Sequence, residues 1–212
     1  EREGSANVLL EALACGLPAE ADVMKELAPT GKLRVAIAVA PAPSALYAIK
    51  DEATGQYRGV TVELGAAMAK KLGVPVEFVP HLASGEIQNS ADANRWDVTF
   101  MPVDEERKKF VDFGNAYHLL QSTYLVAPGA KIGKIDEVNE PGVWIGGVAN
   151  TATFRAAQRS APKATFVTVP GVDAAVAAMK AGEIDCIALS RESLSGLAAK
   201  IPGSRILDGG FL

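Results

Sequence analysis

The sequence predicts an α/β fold made of two lobes. Between residues 32 and 100, short apolar runs alternate with segments whose apolar residues recur at helical spacing, which is typical of parallel βαβ units. The same alternation resumes at residue 143, after an extended stretch over residues 115–126 that is suited to connect one lobe to the next. The repeated pattern therefore predicts two α/β units with right-handed crossovers.

The first unit is predicted from local signals. Pro41 and Pro43 end its first strand, because proline cannot donate to a sheet ladder, and Gly73 ends its main helix. The predicted elements are a strand at 32–39, a hairpin turn at 51–59, a helix at 60–72, a strand at 74–79, a polar helix at 84–94 and a strand that begins at 96.

The second unit follows the same logic. Thr151 stands where a helix N-cap is expected, and Gly182 stops an alanine-rich helix. The predicted strands are 143–148, 165–169, 184–189 and 205–207, and the predicted helices are 152–159, 172–180 and 193–200.

Residues 5–15 have helical apolar spacing before Gly16 and Pro18, and three interpretations compete for them. The first is the tail of a secretion signal with Cys15 lipid-modified, although Glu11 interrupts the apolar run that such a signal needs. The second is a resemblance of residues 3–18 to the nucleotide-sugar-binding motif of retaining glycosyltransferases, which nothing after Pro18 continues. We adopt the third, an amphipathic helix appended to a different protein.

Composition excludes several classes of protein. A net charge of −4, with basic residues scattered among acids, argues against a nucleic-acid surface. Cys15 and Cys186 lack metal-ligand spacing and lie far from His81 and His118, so we expect buried free thiols, no metal site and no cofactor. No apolar run approaches the roughly 18 residues that a membrane span requires.

The stretch from residue 96 to residue 113 is the first candidate for function. Its strand runs into a charged turn in which Arg107 stands among acids, and α/β proteins place a cation in this way at the mouth of a cleft. A solvated charged turn is the alternative interpretation of the same pattern.

Four runs, taken in order, resemble one family: GKLRVAIAV, RGVTVELGAAMAKKLGVPVEFV, WDVTFMPVDEERKKFVDFGNAY and GVDAAVAAMKAGEIDCIALS. They are similar to the family 3 extracellular solute-binding proteins, the periplasmic receptors of polar amino acid ABC transporters. The resemblance implies a two-lobed periplasmic binding protein-like (type II) fold. It places an appended segment at 1–29, lobe 1 at 30–116, a crossing segment at 117–126 and lobe 2 at 127–212.

The same resemblance implies a function. The chain would be the substrate-binding protein of an ABC importer, holding a small polar carboxylate-bearing solute, an amino acid or organic anion, between its lobes without chemistry. The implied partners are that ligand and the transporter's permease, with no nucleic acid. The implied location is the periplasm, although no signal peptide is visible in this chain.

The family's ligand-binding positions can be carried over residue by residue. The arginine that binds the ligand carboxylate falls on Arg107, whose rigid fork of donors matches a carboxylate. The lobe 2 residues that help bind this anion fall on Asn150 and Thr151, at a helix N-terminus where free N–H groups favour negative charge. For Thr151 a simple cap is the alternative. Further positions on the lobe 1 wall fall on Ser44, Tyr47 and Ser84, and a packed core aromatic is the alternative for Tyr47.

Departures from the family pattern bear on the ligand. Phe100 and Pro102 stand where amino acid receptors carry a small glycine and a threonine, and Asp104 replaces a second threonine. Ser190 replaces the acid that pairs with the ligand's α-ammonium, and an unpaired buried ammonium costs several kcal/mol. Either Asp104 or Glu86 supplies that charge, or the ligand lacks an α-amino group; the sequence favours the second.

A catalytic alternative exists within this fold class, a periplasmic dehydratase similar to the cyclohexadienyl dehydratases. It would need a general acid over the substrate, for which Glu86, His81 and Asp104 are the candidates. None of these three residues belongs to a recognised catalytic motif, so we predict a binding protein and assign no catalytic residue.

The family pattern also predicts a return from lobe 2 to lobe 1 after residues 204–208, and this return is missing here. A lobe without one strand exposes unpaired backbone and apolar surface. We therefore expect the chain to self-associate through the gap or to fill it with the N-terminal helix.

Overall fold

The computed structural model describes residues 21–39 and 46–211, which form two compact units. Within these ranges the first unit comprises 21–39, 46–81 and 86–118, and the second comprises 82–85 and 119–211. The predicted helix at 5–15, the glycosyltransferase-like motif at 3–18, Cys15 and Ser44 lie outside the described residues.

The first unit is an α/β unit around a parallel sheet. Its elements are α1 (Ala21–Leu27), β1 (Leu33–Ala38), the antiparallel pair β2 (Ile49–Lys50) and β3 (Tyr57–Arg58), α2 (Val60–Leu72), β4 (Val76–His81), α3 (Ser84–Asn89), a 3₁₀ helix (Ala91–Ala93) and β5 (Val98–Thr99). The first two residues of α3, 84–85, are grouped with the second unit. The sheet has the order β4-β1-β5, and β1 pairs in parallel with both neighbours. Helix α1 lies within residues 1–29, which were expected to be an appended helical segment, although the sequence placed its helix at 5–15.

Helix α2 has the predicted bounds but a different buried face. The apolar spacing of the sequence predicts a buried face with Val60, Leu64, Ala67, Met68 and Leu72, but Val60 and Ala67 are both exposed. The side that packs inward instead carries Gly65 and Ala69, because a Cβ built at Gly65 would already lie 3.0 Å from Cγ1 of Val35 in β1. Small residues on this side let the helix approach the sheet closely, so this side packs inward.

An ion pair fixes the start of β5 against β1. The Asp97 carboxylate accepts the backbone N–H of Arg34 at 2.8 Å and lies 2.6 Å from Nη2 of the same residue. The two side chains are only 4% and 12% exposed, so solvent screens the pair weakly. This pair therefore fixes where the chain enters β5.

The second unit contains a mixed five-stranded sheet with the order β10-β6-β9-β7-β8. Strand β7 pairs in parallel with β8 and β9, whereas β6 runs antiparallel to β9 and β10. The elements are β6 (Ser122–Val126), a 3₁₀ helix (Ile135–Val138), β7 (Trp144–Val148), α4 (Ala152–Ser160), β8 (Thr165–Val169), α5 (Val172–Lys180), β9 (Cys186–Ser190), α6 (Arg191–Ala198) and β10 (Arg205–Ile206).

Strand β6 comes from the stretch that the sequence predicts as a crossing segment. Its residues 123–126 are buried in the sheet of the second unit. The run Thr-Tyr-Leu-Val alternates its side chains between the sheet faces: Tyr124 joins the core cluster on one face and Leu125 the cluster on the other.

The core of the second unit lies on both faces of β9. Ile187 and Leu189 pack into one cluster, and Cys186 and Ala188 pack into the other. Cys186 is a buried free thiol, as predicted, and its burial raises the pKa of that thiol. No helix within residues 21–39 and 46–211 is long and apolar enough to span a membrane.

Candidate functional site

Arg107 lies in the first unit, in a 3₁₀ helix (Arg107–Lys109), and its side chain is fully buried. Its Nε–H donates to Oε1 of Gln88 at 3.3 Å, and its Nη1 donates to the carbonyl of Pro102 at 2.8 Å. The alternative interpretation, a solvated charged turn, holds for the exposed Glu105, Lys108 and Lys109 but not for Arg107 itself. The protein holds the guanidinium in a defined orientation from two sides.

The loop after β5 shapes this arrangement. Asp104 Oδ1 accepts the backbone N–H of Arg107 at 3.0 Å, so the aspartate caps the short helix that carries the arginine. Asp104 thus has a positioning role that the sequence did not suggest, since we considered it a partner for a ligand ammonium. Pro102 contributes its carbonyl, which any residue could offer, and its ring restricts the loop that presents this carbonyl.

Phe100 follows directly after β5, half buried against the core cluster of the first unit. Its ring meets that of Tyr117 edge to face, with centroids 5.6 Å apart and planes at 90°. Burial raises the pKa of the Tyr117 phenol, although half of the residue remains exposed. Tyr117 was not among the predicted site residues.

The remaining first-lobe candidates lie near the carboxyl ends of other strands. Tyr47 is half buried, next to Ala48, which bridges to Val39 just after β1. Ser84 is half buried and begins α3, three residues after β4 ends at His81. Both therefore follow parallel strands that neighbour each other in one sheet.

In the second unit, the predicted residues gather at one edge of the sheet. Strands β7 and β9 run parallel and adjacent, with Ile145 opposite Cys186. Asn150 and Thr151 follow the carboxyl end of β7, and Ser190 is the last residue of β9. The structure therefore brings these residues to the edge where α/β proteins bind ligands.

Thr151 is the N-cap of α4, as predicted. Its buried hydroxyl accepts the N–H of Phe154 at 3.3 Å and donates to the carbonyl of Val148 at 2.9 Å. Asn150 precedes it with a φ of 56°, a left-handed conformation that asparagine tolerates better than most residues, and its side chain is exposed. The Asn150 side chain is thus exposed at this turn, whereas the Thr151 side chain is buried and caps α4.

Replacing Thr151 with alanine is expected to destabilise the protein by about 1 kcal/mol, the usual cost of losing a helix N-cap. The loss should appear in urea unfolding as a lower midpoint with an unchanged slope. Thr151→Ser, which keeps the hydroxyl, should retain most of the stability. An alanine variant as stable as the parent would show that the cap contributes nothing.

Ser190 also caps a helix. Its hydroxyl accepts the N–H of Ser193 at 3.4 Å, donates to the hydroxyl of Ser193 at 3.0 Å, and is buried at the start of α6. The position that the family gives to an acid thus carries a neutral cap here. It contributes no negative charge to this edge of the sheet.

The candidates for acid–base chemistry have structural partners. His81 has Nδ1 at 3.0 Å from the carbonyl of Val79 and Nε2 at 3.2 Å from the hydroxyl of Ser90. Glu86 is half buried in α3. No group of three or more potential metal ligands occurs within residues 21–39 and 46–211.

Gln88 is the residue that sequence reasoning missed most clearly. It lies in α3, four residues after Ser84, so both fall on the same side of this helix. A signal existed in the sequence, because a polar helix directly after a parallel strand places its side chains near the strand's carboxyl end. What the sequence lacked was any indication that Gln88 reaches Arg107.

A separate cavity of about 250 Å³ lies in the second unit, lined in part by Tyr124, Asp136, Asn139, Ser160 and Phe211. The Tyr124 hydroxyl lies 3.3 Å from that of Ser160, and burial raises the pKa of Tyr124 to about 12. None of the predicted site residues within the described ranges lines this cavity.

Comparison with known proteins defines the class. The sequence pattern of the bacterial extracellular solute-binding proteins, family 3, matches residues 33–140, about half of the chain. The chain therefore belongs to this family. The name of the family places its members outside the cytoplasm.

Two curated relatives are glutamine-binding proteins. The glutamine-binding protein of Geobacillus stearothermophilus is 27% identical over 78% of this chain and 64% of its own length. The ABC transporter glutamine-binding protein GlnH of Bacillus subtilis (strain 168) is 26% identical over 72% of this chain and 57% of its own. The chain thus spans less than two thirds of the length of these relatives.

A solved structure confirms the fold. The ancestral amino acid-binding protein AncCDT-1, a precursor of cyclohexadienyl dehydratase, is 30% identical and superposes with a TM-score of 0.71, covering 89% of this chain and 82% of its own. The predicted α/β, type II periplasmic binding-protein fold is therefore confirmed. The comparisons support neither the predicted lack of a C-terminal return nor the predicted self-association.

Proposed function

We propose that this chain is the substrate-binding protein of an ABC importer and that it binds a small carboxylate-bearing solute through Arg107 without chemical change. The buried, doubly anchored guanidinium of Arg107 carries this proposal. Family membership and the names of the curated relatives support it. The partners are then the solute and the permease of the transporter, and the protein works in the periplasm.

The planar guanidinium of Arg107 and its fixed orientation suit it to bind an anion. A guanidinium presents a planar fork of donors, and a carboxylate offers two oxygens with the matching spacing. Gln88 and Pro102 hold Nε and Nη1, so little side-chain freedom remains to be lost when a ligand binds. Preorganisation of this kind raises affinity because it lowers the entropic cost of association.

The second unit contributes the edge formed by Asn150, Thr151 and Ser190. The N-terminus of α4 favours negative charge, which agrees with a carboxylate ligand. Ser190 is neutral and already caps α6, so this edge offers an α-ammonium no charge from that position. We propose that residues 30–116 and 127–212 act as the two ligand-binding lobes.

Two classes of ligand fit this function, an amino acid or a small organic anion, and a different observation favours each. The names of the curated relatives favour an amino acid, with glutamine as the first to test. Ser190 favours a carboxylate whose binding does not depend on a paired ammonium.

A panel of amino acids and their deaminated analogues tests the proposal. We expect some carboxylates to raise the melting temperature, because ligand at 100 times its Kd stabilises the folded state by about 2.7 kcal/mol. Calorimetry would then compare each amino acid with the acid that lacks its amino group. A panel in which no carboxylate shifts the melting temperature would overturn the proposed function.

The dehydratase alternative has one observation in its favour, the likeness to AncCDT-1, the ancestral binding protein named as a precursor of such an enzyme. The positions of the candidate acids oppose it. Both ring nitrogens of His81 lie within hydrogen-bond distance of neighbouring groups, and Asp104 caps the helix of Arg107. Incubation with prephenate and arogenate should leave both compounds unchanged, and formation of an aromatic product would support the enzyme instead.

A further inference from the structure

Two aromatic side chains of the first unit form a rigid, partly open surface. Phe100 packs against the core, and Tyr117 lies edge to face against it at 5.6 Å. Such a pair contributes about 0.5–1.5 kcal/mol beyond its buried area, which keeps the two rings in a fixed relation. Tyr117 is nevertheless 52% exposed, so apolar ring surface remains available for another flat group.

The ring pair lies on the same loop as the site of Arg107. Phe100 follows β5 directly, and Pro102, whose carbonyl accepts from Arg107 at 2.8 Å, comes two residues later. Phe100 and Pro102 are two residues apart, so their Cα atoms lie within about 7 Å of each other. Phe100 is therefore close along the chain to the carbonyl that holds Arg107.

The charges around the loop favour an apolar group on these rings over a cation. Glu105 pairs with Lys108 at 2.7 Å, and Glu106 pairs with Lys109 at 2.8 Å. Asp104 accepts from the backbone N–H of Arg107. Glu105 and Glu106 thus each have a lysine partner, so these two acids attract a cationic ligand group less than unpaired acids would.

The phenol of Tyr117 adds a polar contact without adding charge. A phenol is protonated at neutral pH, and burial raises the pKa of Tyr117 further, so its hydroxyl can donate a hydrogen bond. Phe100 stands where the family resemblance places a glycine, so the larger aromatic surface is a feature of this chain.

We propose that Phe100 and Tyr117 recognise a flat apolar group, and that the solute anchored by Arg107 is therefore an aromatic carboxylate. This inference rests on the proposed function and names its substrate class. Arg107 holds the carboxylate, and the ring pair selects the group attached to it.

Calorimetry with matched pairs of acids tests this selection on the full chain. The pairs are L-phenylalanine with L-leucine and 3-phenylpropionate with 4-methylpentanoate, and L-glutamine and L-arginine serve as polar and cationic probes. We expect the aromatic member of at least one pair to bind about tenfold tighter than its aliphatic partner, as a favourable ring contact of this strength predicts.

Tyr117 is the residue to vary, because its exposure lets the fold tolerate a change. Tyr117→Leu should reduce the aromatic preference to about twofold or less, because the aromatic acids lose the ring contact and the aliphatic acids do not depend on it. Tyr117→Phe, which keeps the ring, should retain the preference.

The outcomes separate this inference from the proposed function. Equal affinity for aromatic and aliphatic acids, or a preference that survives Tyr117→Leu, would overturn the inference while the carboxylate receptor stands. Tightest binding of L-arginine or L-glutamine would also overturn it, because the ring pair would then not select an apolar group. Failure of every carboxylate to bind would overturn the proposed function itself.

Discussion

Replacing Arg107 with lysine is expected to weaken carboxylate binding by about 100-fold. Lysine keeps the positive charge but loses the planar fork and the contacts with Gln88 and Pro102. Hydrogen bonds to charged groups contribute about 1.5–3 kcal/mol each, and lysine can keep one of the two bonds of the fork, so the loss of the other corresponds to a factor of up to about 100. Calorimetry with the tightest ligand of the panel measures the change.

The neighbouring Lys108 provides a matched control. It is exposed and paired with Glu105, so Lys108→Ala should leave the affinity unchanged within about twofold. Because Arg107 is buried, the melting temperature of Arg107→Lys without ligand must be measured in parallel. A folded Arg107→Lys variant with the affinity of the parent would remove Arg107 from the site.

A variant that keeps Arg107 refines this test. Gln88→Ala removes the acceptor of the Nε–H and should weaken binding by about tenfold, because the guanidinium is no longer held from that side. Gln88→Glu supplies an acceptor again and should restore the orientation, although its charge competes with the ligand carboxylate. If Gln88→Ala bound as tightly as the parent, preorganisation by this bond would be excluded.

Replacing Gly147 with alanine is expected to cause the largest loss of stability, about 3 kcal/mol. Gly147 lies in β7, and a Cβ built there would lie 1.8 Å from Cδ2 of the Phe154 ring. Phe154 is buried in α4 and cannot move away without disturbing that helix. Overpacking of a core usually costs about 1–3 kcal/mol, and we expect the upper end of this range for a collision this close.

Gly171 offers the matched control for this substitution. It precedes α5 with a φ of −167°, which any residue adopts, and a Cβ built there meets nothing within 4 Å. Gly171→Ala should therefore be neutral or stabilise slightly, by about 0.4–1 kcal/mol. Thermal melting should show Gly147→Ala lower by about 6–12 °C, at roughly 2–4 °C per kcal/mol for a chain of this size.

A double variant identifies the cause. Phe154→Leu shortens the side chain that would collide, so combining it with Gly147→Ala should recover part of the lost stability. If the stability losses of the two single variants simply add in the double variant, the proposed collision with the Phe154 ring is wrong. The test also concerns the site, because α4 begins at the Asn150–Thr151 turn, and a displaced helix would move that turn.

Local signals account for most of the elements. The helices at 60–72 and 172–180 and the strand at 165–169 have the predicted bounds, and Thr151 caps α4 as its position predicted. These features depend on periodicity, a cap or a stop residue within a few positions of one another. Such interactions form in the same way wherever the segment lies in the fold.

The features that the sequence did not reveal concern contacts between distant segments. Strand β6 is a central member of its sheet only because β9, more than 60 residues later in the chain, pairs with it. The buried face of α2 was misplaced because the approach of Gly65 to Val35 is decided by packing against β1. Neither contact leaves a local signature in the sequence.

For the site, the sequence by itself determined the family and the order of the α/β units, and it was enough to propose Arg107 as the anion-binding residue. Motif order and spacing are properties of the chain, so they can be recognised without coordinates. Only the tertiary structure decided that Arg107 is buried, that Gln88 and Pro102 hold it, that Asp104 caps its helix and that Phe100 pairs with Tyr117. These facts depend on how side chains from separate segments pack, and packing is settled only when the whole unit folds.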